Sequence, residues 1–559
     1  TDEAVKPILD LGGGSGTGAL YLAEPGHDEL LLTCDWTTGK IYNDKVSEKG
    51  ASYSLKESVY MNLPRAIDID VDGSGNLFVC DWRGGRFKFA GKGKKVGMVQ
   101  KLTKNGLEGQ PFPELRGMST SELVLQLKSS SAVRRLEVQR VLLAKAETGS
   151  IKPLTILVKD SRLSIESRIA AIFTLSQMKE MTADQFLQIF AKDWKDLKEI
   201  QQYLTRAAGD LSGEISSDTL SLVEGALQSG DERTRLQAVV FLMRIGNPAK
   251  NATAQILKAL TEAQDPRIQN TAVGALVKIG DVESLLSHVN RKTARLALMR
   301  LHRSEVVSGV AASLQQSKGS ERLGLIEILA RLFHREAEWD LKAWWGTRPD
   351  DRGPYFAPET WEETPNIKAA LENVFNQLAK TDQSKMLGIL GINRVPVSEL
   401  SLGKQDPFVI ALATPTPDES QIRILTGAAK DKRRLWEERV SAYRALGRLE
   451  GKTVANQVEI LGTWLDQGVK PAEVELELND FVNQPALILS TKVLRKVAAK
   501  GNKSESRVAW RTLLIFTQSP LIKENQKTPI LNMIQKNPRE EGLFLALADL
   551  LLPGFDRQI

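Results

Sequence analysis

Two internal repeats of different period predict a mainly α-helical protein, in which a HEAT-like α-solenoid is preceded by the last blades of a β-propeller. The first repeat places Cys-Asp-Trp at residues 34–36 and again at residues 80–82, an offset of 46, in strand-like surroundings. The second repeat relates residues 219–246 to residues 253–280 at an offset of 34 and has helical periodicity. Repeats of roughly 40–50 residues with strands are typical of propeller blades, and repeats of roughly 30–45 residues with helices are typical of stacked helix pairs.

Residues 1–112 are predicted to form about two blades of a propeller. Residues 67–71 alternate β-branched residues with aspartate, and a turn follows at Asp72-Gly73, a pattern typical of a β-hairpin. The paired cysteines and tryptophans occupy equivalent positions in the two blades. We therefore expect Trp36 and Trp82 to pack between blades, and Cys34 and Cys80 to be two buried thiols rather than a disulfide.

The glycine-rich stretch ILDLGGGSGTGALYLAE at residues 8–24 looks like the first motif of a Rossmann-type methyltransferase, with Asp35 in the place of a ribose-binding carboxylate. Three observations argue against a nucleotide site. The helix-like run at residues 19–23 ends at Pro25-Gly26, no alternation of strand and helix follows, and Cys-Asp-Trp is copied in the next blade. We interpret the glycines as allowing close backbone approach, and Asp35 as a turn-forming acceptor of backbone N–H groups.

Residues 113–337 are predicted to form the first part of the solenoid, and residues 365–559 its continuation. Ser119 or Thr120 supplies a helix N-cap signal. In the 34-residue repeat each unit is a helix, a short turn with aspartate, a second helix and a glycine stop, with apolar residues at three- and four-residue spacing. Degenerate copies of this unit lie at residues 151–179, 305–335 and 419–449.

An insert at residues 338–364 interrupts the helical pattern and holds four of the ten tryptophans together with arginine and proline. Long inserts of this kind are often functional, and aromatic and arginine side chains together suit sugar stacking, cation–π contact or a protein interface. The alternative is a packed plug whose tryptophans are buried and whose arginines bind carbonyls. The candidate binding residues are Trp344, Trp345, Arg348, Arg352, Tyr355 and Trp361.

A metal site is a second candidate, because Asp68, Asp70 and Asp72 begin a D-x-D-x-D-G pattern like that of a calcium loop. The twelfth position is Val79, which supplies no carboxylate, so a strand with a tight turn is the favoured interpretation. The four histidines include no HExxH pair, and no CxxCH haem motif occurs. A net charge of +6 with interleaved acids favours no nucleic-acid partner, and no apolar run is long enough for a transmembrane segment.

The chain resembles one family of large bacterial proteins. GGGSGTGALYLAEPG, CDWTTGKIY, PRAIDIDVDGSGNLFVCDW and WWGTRPDDRGPYFAPETWE are similar to the glucose/sorbosone-dehydrogenase-like β-propeller plus HEAT-repeat proteins of planctomycetes and verrucomicrobia. These PVC-type proteins are described as haem-binding or membrane-bound dehydrogenase proteins. The resemblance is strongest at residues 8–100, 118–143 and 338–364.

The resemblance implies an oxidoreductase function that requires residues in addition to those of this chain. Members of the family are exported, and many carry a cytochrome-c-like domain, so haem c or a quinone is expected in the full-length protein, none in this chain, and a periplasmic location is implied. Because the chain opens at Thr1 and holds about two blades, we expect it to be a piece of a longer protein. His27, near a blade loop, is the nearest candidate for a site residue.

Three functions remain open from the sequence. The first is a scaffold or binding segment, with a protein or glycan partner, in an exported, carbohydrate-related oxidoreductase system. The second is a quinone- or calcium-dependent sugar dehydrogenase whose active site lies in missing residues. The third is an intracellular protein–protein adaptor.

Overall fold

The computed structural model describes residues 5, 7–9, 14–82, 97–109, 111–178, 181–262, 265–339, 341, 354–402, 406–414, 417–449, 451–469, 471–482, 490–518 and 524–551. Over these residues the protein is mainly helical, with a small antiparallel sheet region near the N-terminus. The last strand of that region ends at Leu102 and the first helical turn begins at Leu115, close to the predicted boundary at residue 112. The chain divides into two units, Thr1–Leu298 and Met299–Ile559, a boundary that the sequence did not indicate.

The strands described in the first unit form two antiparallel sheets in which neighbours in sequence are neighbours in space. Sheet A consists, in order, of β1 (Gly16–Leu22), β2 (Leu30–Asp35), β3 (Lys40–Lys49) and β4 (Ser52–Asn62). Sheet B consists of β5 (Ala66–Val71), β6 (Leu77–Asp81) and β7 (Met98–Leu102).

The repeat of Cys-Asp-Trp is a structural repeat. Gly16 at the start of β1 pairs with Asp35, and Ala66 at the start of β5 pairs with Asp81. In both pairs the register shifts by one residue shortly afterwards, so each sheet has a β-bulge at the same place. Sheet B therefore repeats the first three strands of sheet A.

The two sheets bury a shared core. Leu32, Cys34 and Ile41 of sheet A are 0% exposed and pack in one cluster with Ile69 and Val79 of sheet B. Each of these side chains lies on one face of its strand, as the two-residue period of a strand requires. One face of sheet A is thereby closed by sheet B.

The first unit continues with pairs of helices. These helices are α1 (Thr120–Gln126), α2 (Ala132–Lys145), α3 (Ile151–Lys159), α4 (Ile165–Ser176), α5 (Ala183–Gln188), α6 (Gln201–Gly209), α7 (Ser217–Ala226), α8 (Glu232–Ile245), α9 (Thr253–Glu262), α10 (Pro266–Ile279), α11 (Val282–Ser287) and α12 (Lys292–Leu298). Each odd-numbered helix packs against the even-numbered helix that follows it. The even-numbered helices also pack against one another in sequence, which gives a row of helices with a repeat-like architecture.

The landmarks of the 34-residue repeat are helix caps. Asp231 caps the N-terminus of α8 and Asp265 caps that of α10, each accepting a hydrogen bond from a backbone N–H group of the first turn. Gly246 and Gly280 end these helices with φ values of 66° and 67°, a conformation that favours glycine. At the start of the row, Ser119 caps α1 in a capping box, as its sequence signal predicts.

The second unit is also built from helices that pack on their neighbours in the chain. These helices are α13 (Ser304–Gln316), α14 (Gly319–Leu332), α15 (Thr364–Phe375), α16 (Lys380–Ile392), α17 (Pro407–Ala413), α18 (Glu419–Lys430), α19 (Trp436–Gly447), α20 (Val454–Asp466), α21 (Pro471–Val482), α22 (Thr491–Lys500), α23 (Lys503–Gln518), α24 (Glu524–Lys536) and α25 (Glu541–Leu551). Two short strands, β8 (Arg335–Glu336) and β9 (Pro358–Glu359), pair between α14 and α15. The core includes the fully buried Tyr443, Trp464, Phe481 and Trp510.

An arginine side chain closes the turn between helices in both units, and it is buried in the case of Arg168 and Arg439. Arg168 in the first turn of α4 donates through Nε to the carbonyl of Val158, 2.9 Å away, near the end of α3. Arg439 in α19 donates in the same way to the carbonyl of Ala429 near the end of α18, at 3.0 Å. Arg322 in α14 donates to the carbonyl of Ser317 at 2.7 Å. The guanidinium therefore satisfies a carbonyl that the preceding helix leaves without an intrahelical partner.

Candidate functional site

Residues 354–364 of the tryptophan-rich insert pack against the C-terminal end of α14. Tyr355 and Trp361 are 9% and 8% exposed. The Tyr355 hydroxyl donates to the carbonyl of Arg331, and the indole Nε1–H of Trp361 donates to the carbonyl of Leu332, each at 2.7 Å. Both aromatic side chains are thus held by the last two carbonyls of the helix.

The next two carbonyls of the chain are bound in the same manner. Thr364 donates its hydroxyl to the carbonyl of Phe333 at 2.9 Å, and Nε2 of His302 lies 2.8 Å from the carbonyl of His334. Four consecutive carbonyls at the end of α14 therefore each contact a side chain. Because a helix end buried without partners for its carbonyls is costly, this cluster explains why residues 354–364 fold back onto α14.

His302 lies at the centre of this cluster. Its ring packs edge-to-face with Tyr355 at 6.2 Å and with Trp361 at 5.2 Å between ring centroids. Burial lowers the pKa of His302, and the hydrogen bond to the carbonyl of His334 acts in the opposite direction. The neutral imidazole, with Nε2 protonated as the donor, is the form that this environment stabilises.

The structure separates the six predicted binding residues into two sets. Tyr355 and Trp361 are brought together, and their burial and hydrogen bonds are those of the packed-plug alternative. The prediction that the remaining four contact a ligand stays a prediction, because they lie outside the described residues: Trp344, Trp345, Arg348 and Arg352.

The three aspartates of the candidate metal site make strand and turn contacts. Asp68 and Asp70 are exposed on β5, and each accepts a hydrogen bond from the N–H group of the next residue. Asp72 accepts hydrogen bonds from the N–H groups of Ser74 and Asn76, both at 2.9 Å. Burial acts to raise the pKa of Asp72, but these hydrogen bonds lower it overall. Within the described part of the chain, no group of three or more His, Cys, Asp and Glu side chains is placed to hold a metal ion.

Two described glycines of the glycine-rich stretch, Gly14 and Gly18, allow the close approach that we expected of this stretch. A Cβ on Gly14 would lie 1.8 Å from Oδ2 of Asp35, and a Cβ on Gly18 would lie 2.6 Å from the Cα of Asp68. Asp35 accepts a hydrogen bond from the N–H group of Thr38 at 2.8 Å, and although burial acts against it, such bonds lower its pKa. The run that looked helix-like is the strand β1, paired antiparallel to β2.

Trp36 and Trp82 contact each other, with ring centroids 6.4 Å apart, which confirms their packing between the two sheets. Cys34 and Cys80 are both free thiols, but the prediction that both are buried is wrong for Cys80. Cys34 lies beneath sheet B, and burial raises the pKa of its thiol to about 11. Cys80 lies on the other face of sheet B and is exposed.

His27 joins two turns of the sheet region. Its Nε2 lies 2.8 Å from the carbonyl of Gly75, so that the turn after β1 contacts the turn after β5. The ring is therefore engaged in a structural contact in this chain.

The hairpin of β3 and β4 reaches the helix row, a contact that the sequence did not indicate. The N–H group of Ala51, at the tip, donates to Oδ2 of Asp265 at 3.0 Å, the same aspartate that caps α10. Gly50 has φ +58°, and a Cβ there would lie 2.4 Å from the same oxygen. Arg233, in the first turn of α8, forms an ion pair with Glu48 of β3. The tip therefore rests on the N-termini of α8 and α10.

A second set of hydrogen bonds, which with the hairpin contact we call the two joints, links sheet A to the start of the helix row. The N–H group of Ala132 donates to the carbonyl of Ala23 at 3.1 Å, and that of Val133 donates to the buried carboxylate of Glu24 at 2.9 Å. These are donors of the first turn of α2, which have no partners within their own helix. The loop between β1 and β2 thus caps α2.

A groove lies on the helix row between α2 and α4. Its volume is about 640 Å³, and it is lined by Ala132, Arg135, Leu136, Gln139, Arg140, Leu143, Glu166, Ile169, Ala170, Phe173 and Gln177. Tyr21 of β1 is 53% exposed and lies close enough to interact electrostatically with Glu166. Desolvation, followed by the hydrogen bond to Glu29, raises the pKa of Tyr21. An apolar floor with a few polar groups is typical of a binding groove.

Comparison of the chain with known protein families and with curated proteins finds no match. Within the residues that the structure describes, no helix is both long and apolar enough to cross a membrane.

Proposed function

We propose that the chain is a scaffold and binding segment of an exported, carbohydrate-related oxidoreductase system. Sheets A and B are two consecutive blades of a β-propeller, and the helix pairs form a HEAT-like α-solenoid. The catalytic machinery, with haem c or a quinone as cofactor, belongs to further residues of the full-length protein. The repeated sheet geometry and the row of helix pairs support the architecture, and the sequence resemblance supports the oxidoreductase system.

The observation that carries a scaffold function is the double attachment of sheet A to the helix row. One joint connects Ala51 to Asp265, and the other connects Glu24 to Val133. In both joints a backbone N–H group donates to a carboxylate that lies at a helix N-terminus. Hydrogen bonds to a charged acceptor are strong, and the helix dipole favours a negative charge at this end. Two separated joints hold the sheets at a defined position over the row, which is what a scaffold needs.

The same geometry supports binding at two places. The groove between α2 and α4 offers an apolar floor beside the exposed Tyr21. In the second unit, Tyr355 and Trp361 anchor residues 354–364 of the tryptophan-rich insert to the end of α14. Aromatic side chains on rigid supports suit the stacking of sugars and the contacts of protein partners.

The test compares two tryptophans of the insert. Titration calorimetry with a neutral and a sulfated hexasaccharide would measure binding by the wild type, Trp345→Ala and Trp361→Ala. We expect Trp345→Ala to weaken binding at least about tenfold, or about 1.4 kcal/mol, with an unchanged melting temperature. Trp361→Ala, the matched control, is expected to lower the melting temperature. A large loss of stability in Trp345→Ala without loss of affinity, or no binding of either sugar, would contradict the glycan-binding proposal.

A further inference from the structure

The groove between α2 and α4 runs along most of both helices. Its lining residues recur at three- and four-residue spacing, from Ala132 to Leu143 on α2 and from Glu166 to Gln177 on α4. The rise between Ala132 and Leu143 is roughly 16 Å, the length of about five residues of extended chain or three turns of helix. A groove of this length, with a volume of about 640 Å³, has the dimensions of a peptide-binding groove.

The floor of the groove is apolar. Aliphatic and aromatic side chains of both helices form it, and they include Leu136, Leu143, Ile169 and Phe173. Leu136 is 48% exposed, so an apolar occupant would remove further apolar surface from water. A sugar is less suited to this floor, because its hydroxyl groups would lose water there without gaining hydrogen-bond partners.

One end of the groove is acidic. There Arg135, in the first turn of α2, interacts electrostatically with Glu166 in the first turn of α4, and also with Glu24 and Glu29. Three carboxylates thus lie around one guanidinium. Each helix N-terminus adds about half a positive charge, so an excess of about one negative charge remains at this end. This charge complements a cation.

Two of these carboxylates can accept hydrogen bonds from a ligand. Glu24 is 4% exposed, and the N–H group of Val133 donates to its Oε1 at 2.9 Å. Its Oε2 is buried and has no hydrogen-bond partner among the described residues. Glu166 is exposed on the rim of the groove. Because a buried carboxylate oxygen without a donor is costly, a donor group of a ligand would stabilise Glu24.

Three tyrosines lie near the same carboxylates. Tyr21 is 53% exposed, donates its hydroxyl to Glu29 at 3.1 Å and interacts electrostatically with Glu166. Tyr203 of α6 also interacts with Glu166, and Tyr53 of β4 interacts with the other two tyrosines. The faces of aromatic rings attract ammonium and guanidinium groups. The tyrosines therefore add to the attraction that the carboxylates exert on a cation.

We propose that this groove binds a peptide segment of a partner protein in which a lysine or arginine lies next to aliphatic residues. The cationic side chain lies at the acidic end, among Glu24, Glu29 and Glu166. The aliphatic side chains cover the floor at Leu136 and Phe173. The inference rests on the binding role proposed for the groove and gives the chemistry of its ligand.

The test selects peptides without assuming their sequence. A phage library of short random peptides is depleted on the Leu136→Asn variant and then panned on the 559-residue wild type. We expect the retained peptides to be enriched in lysine or arginine beside leucine, isoleucine or phenylalanine. Fluorescence anisotropy of the labelled synthetic peptides then measures their affinity. Glu166→Lys is expected to weaken binding at least about tenfold, because it reverses a charge at the acidic end.

Two matched controls separate the groove from general effects. Ile156→Asn places the same polar side chain on α3, at a residue that is 61% exposed. Glu321→Lys changes the net charge as Glu166→Lys does, at an exposed residue of α14. Both controls are expected to bind the selected peptides as the wild type does, and all four variants are expected to keep its melting temperature.

Three results would overturn the inference. They are the absence of retained peptides, enrichment of acidic peptides, and equal affinity of the wild type and Glu166→Lys. Displacement of the peptides by the neutral hexasaccharide would also overturn it, because the groove would then bind sugars. Glycan binding that depends on Trp345 is measured separately, so failure of the inference is distinguishable from failure of the proposed function.

Discussion

Single side chains close several helix ends in this protein by hydrogen bonds to the last carbonyls. The carbonyls of Arg331 and Leu332 at the end of α14 accept from Tyr355 and Trp361. Arg439 does the same for the end of α18. A helix leaves its last four carbonyls without intrahelical partners, and burial removes the water that would otherwise satisfy them. Tyr355, Trp361 and Arg439 therefore have a structural role that their residue type alone does not predict.

Trp361→Ala is expected to lower the free energy of unfolding by about 3–5 kcal/mol, because it removes a buried aromatic side chain and leaves the carbonyl of Leu332 without its donor. Denaturant unfolding of the full chain would measure the loss. The matched control, Phe544→Ala, truncates an aromatic side chain that is 69% exposed and is expected to change stability by less than about 0.5 kcal/mol. Equal effects of the two variants would contradict the burial of Trp361.

Acidification is expected to destabilise the second unit through its histidines. Burial lowers the pKa of both His302 and His334 below the ordinary value of 6.5. Below pH 6.5 the unfolded chain therefore binds more protons than the folded chain, and stability falls as the pH decreases until the folded-state pKa values are passed. The melting temperature should fall between pH 7.5 and 5.5. His302→Gln keeps an N–H donor for the carbonyl of His334 and should show a smaller fall, whereas an unchanged pH dependence would contradict this role.

At the scale of elements, the β3–β4 hairpin is one of the connections between the sheets and the helix row. Its tip contacts a residue 214 positions later in the chain, through the bond from Ala51 to Asp265. The aspartate accepts from the first turn of α10 and from the hairpin at once. The Asp265 carboxylate thus connects a β-hairpin to a helix.

Replacing Asp265 by alanine tests this coupling. Loss of the N-cap is expected to cost about 1 kcal/mol, and loss of the acceptor should accelerate hydrogen exchange at the Ala51 amide. Asp231→Ala is the matched control, because Asp231 caps α8 in the same way without accepting a bond from Ala51. Hydrogen exchange followed by mass spectrometry measures both variants. Equal exchange at the tip in the two variants would show that the hairpin does not depend on Asp265.

The turn between α18 and α19 provides a second element-scale prediction. Arg439 is 6% exposed and donates to the carbonyl of Ala429, which also accepts from the indole N–H of Trp464. Arg439→Leu is therefore expected to cost about 1–3 kcal/mol by removing a buried hydrogen bond from a charged donor. Arg433 lies in the same turn, but its side chain is 86% exposed and it pairs with Asp431. Arg433→Leu is therefore expected to leave the midpoint of denaturant unfolding unchanged. A larger loss of stability in Arg433→Leu than in Arg439→Leu would contradict the structural role of Arg439.

At the scale of the whole molecule, the repeats could be predicted because local chemistry marks them. Asp231 and Asp265 begin helices and Gly246 and Gly280 end them, since caps depend on the nearest turn alone. The contact of Trp36 with Trp82 follows from the repeat itself. Such features can be identified in a sequence without knowledge of its distant contacts.

Features that depend on distant residues could not be predicted. Ala51 and Asp265 carry no pattern that relates them, and the exposure of Cys80 is set by what packs on its face rather than by its own segment. The role of Arg439 was hidden for a related reason. It lies in a charged run that resembles a solvated helix surface, and only the packing of α18 and α19 shows that its guanidinium points inward.

The proposed function makes this chain the scaffold and binding part of a larger oxidoreductase system. The intact mass of the native polypeptide, isolated from its source, tests that claim most directly against the 61.8 kDa of this sequence. We expect a substantially larger mass, with further blades and a cofactor-bearing portion. A native mass of 61.8 kDa would contradict it and would leave the two sheets as an open end on a row of helices.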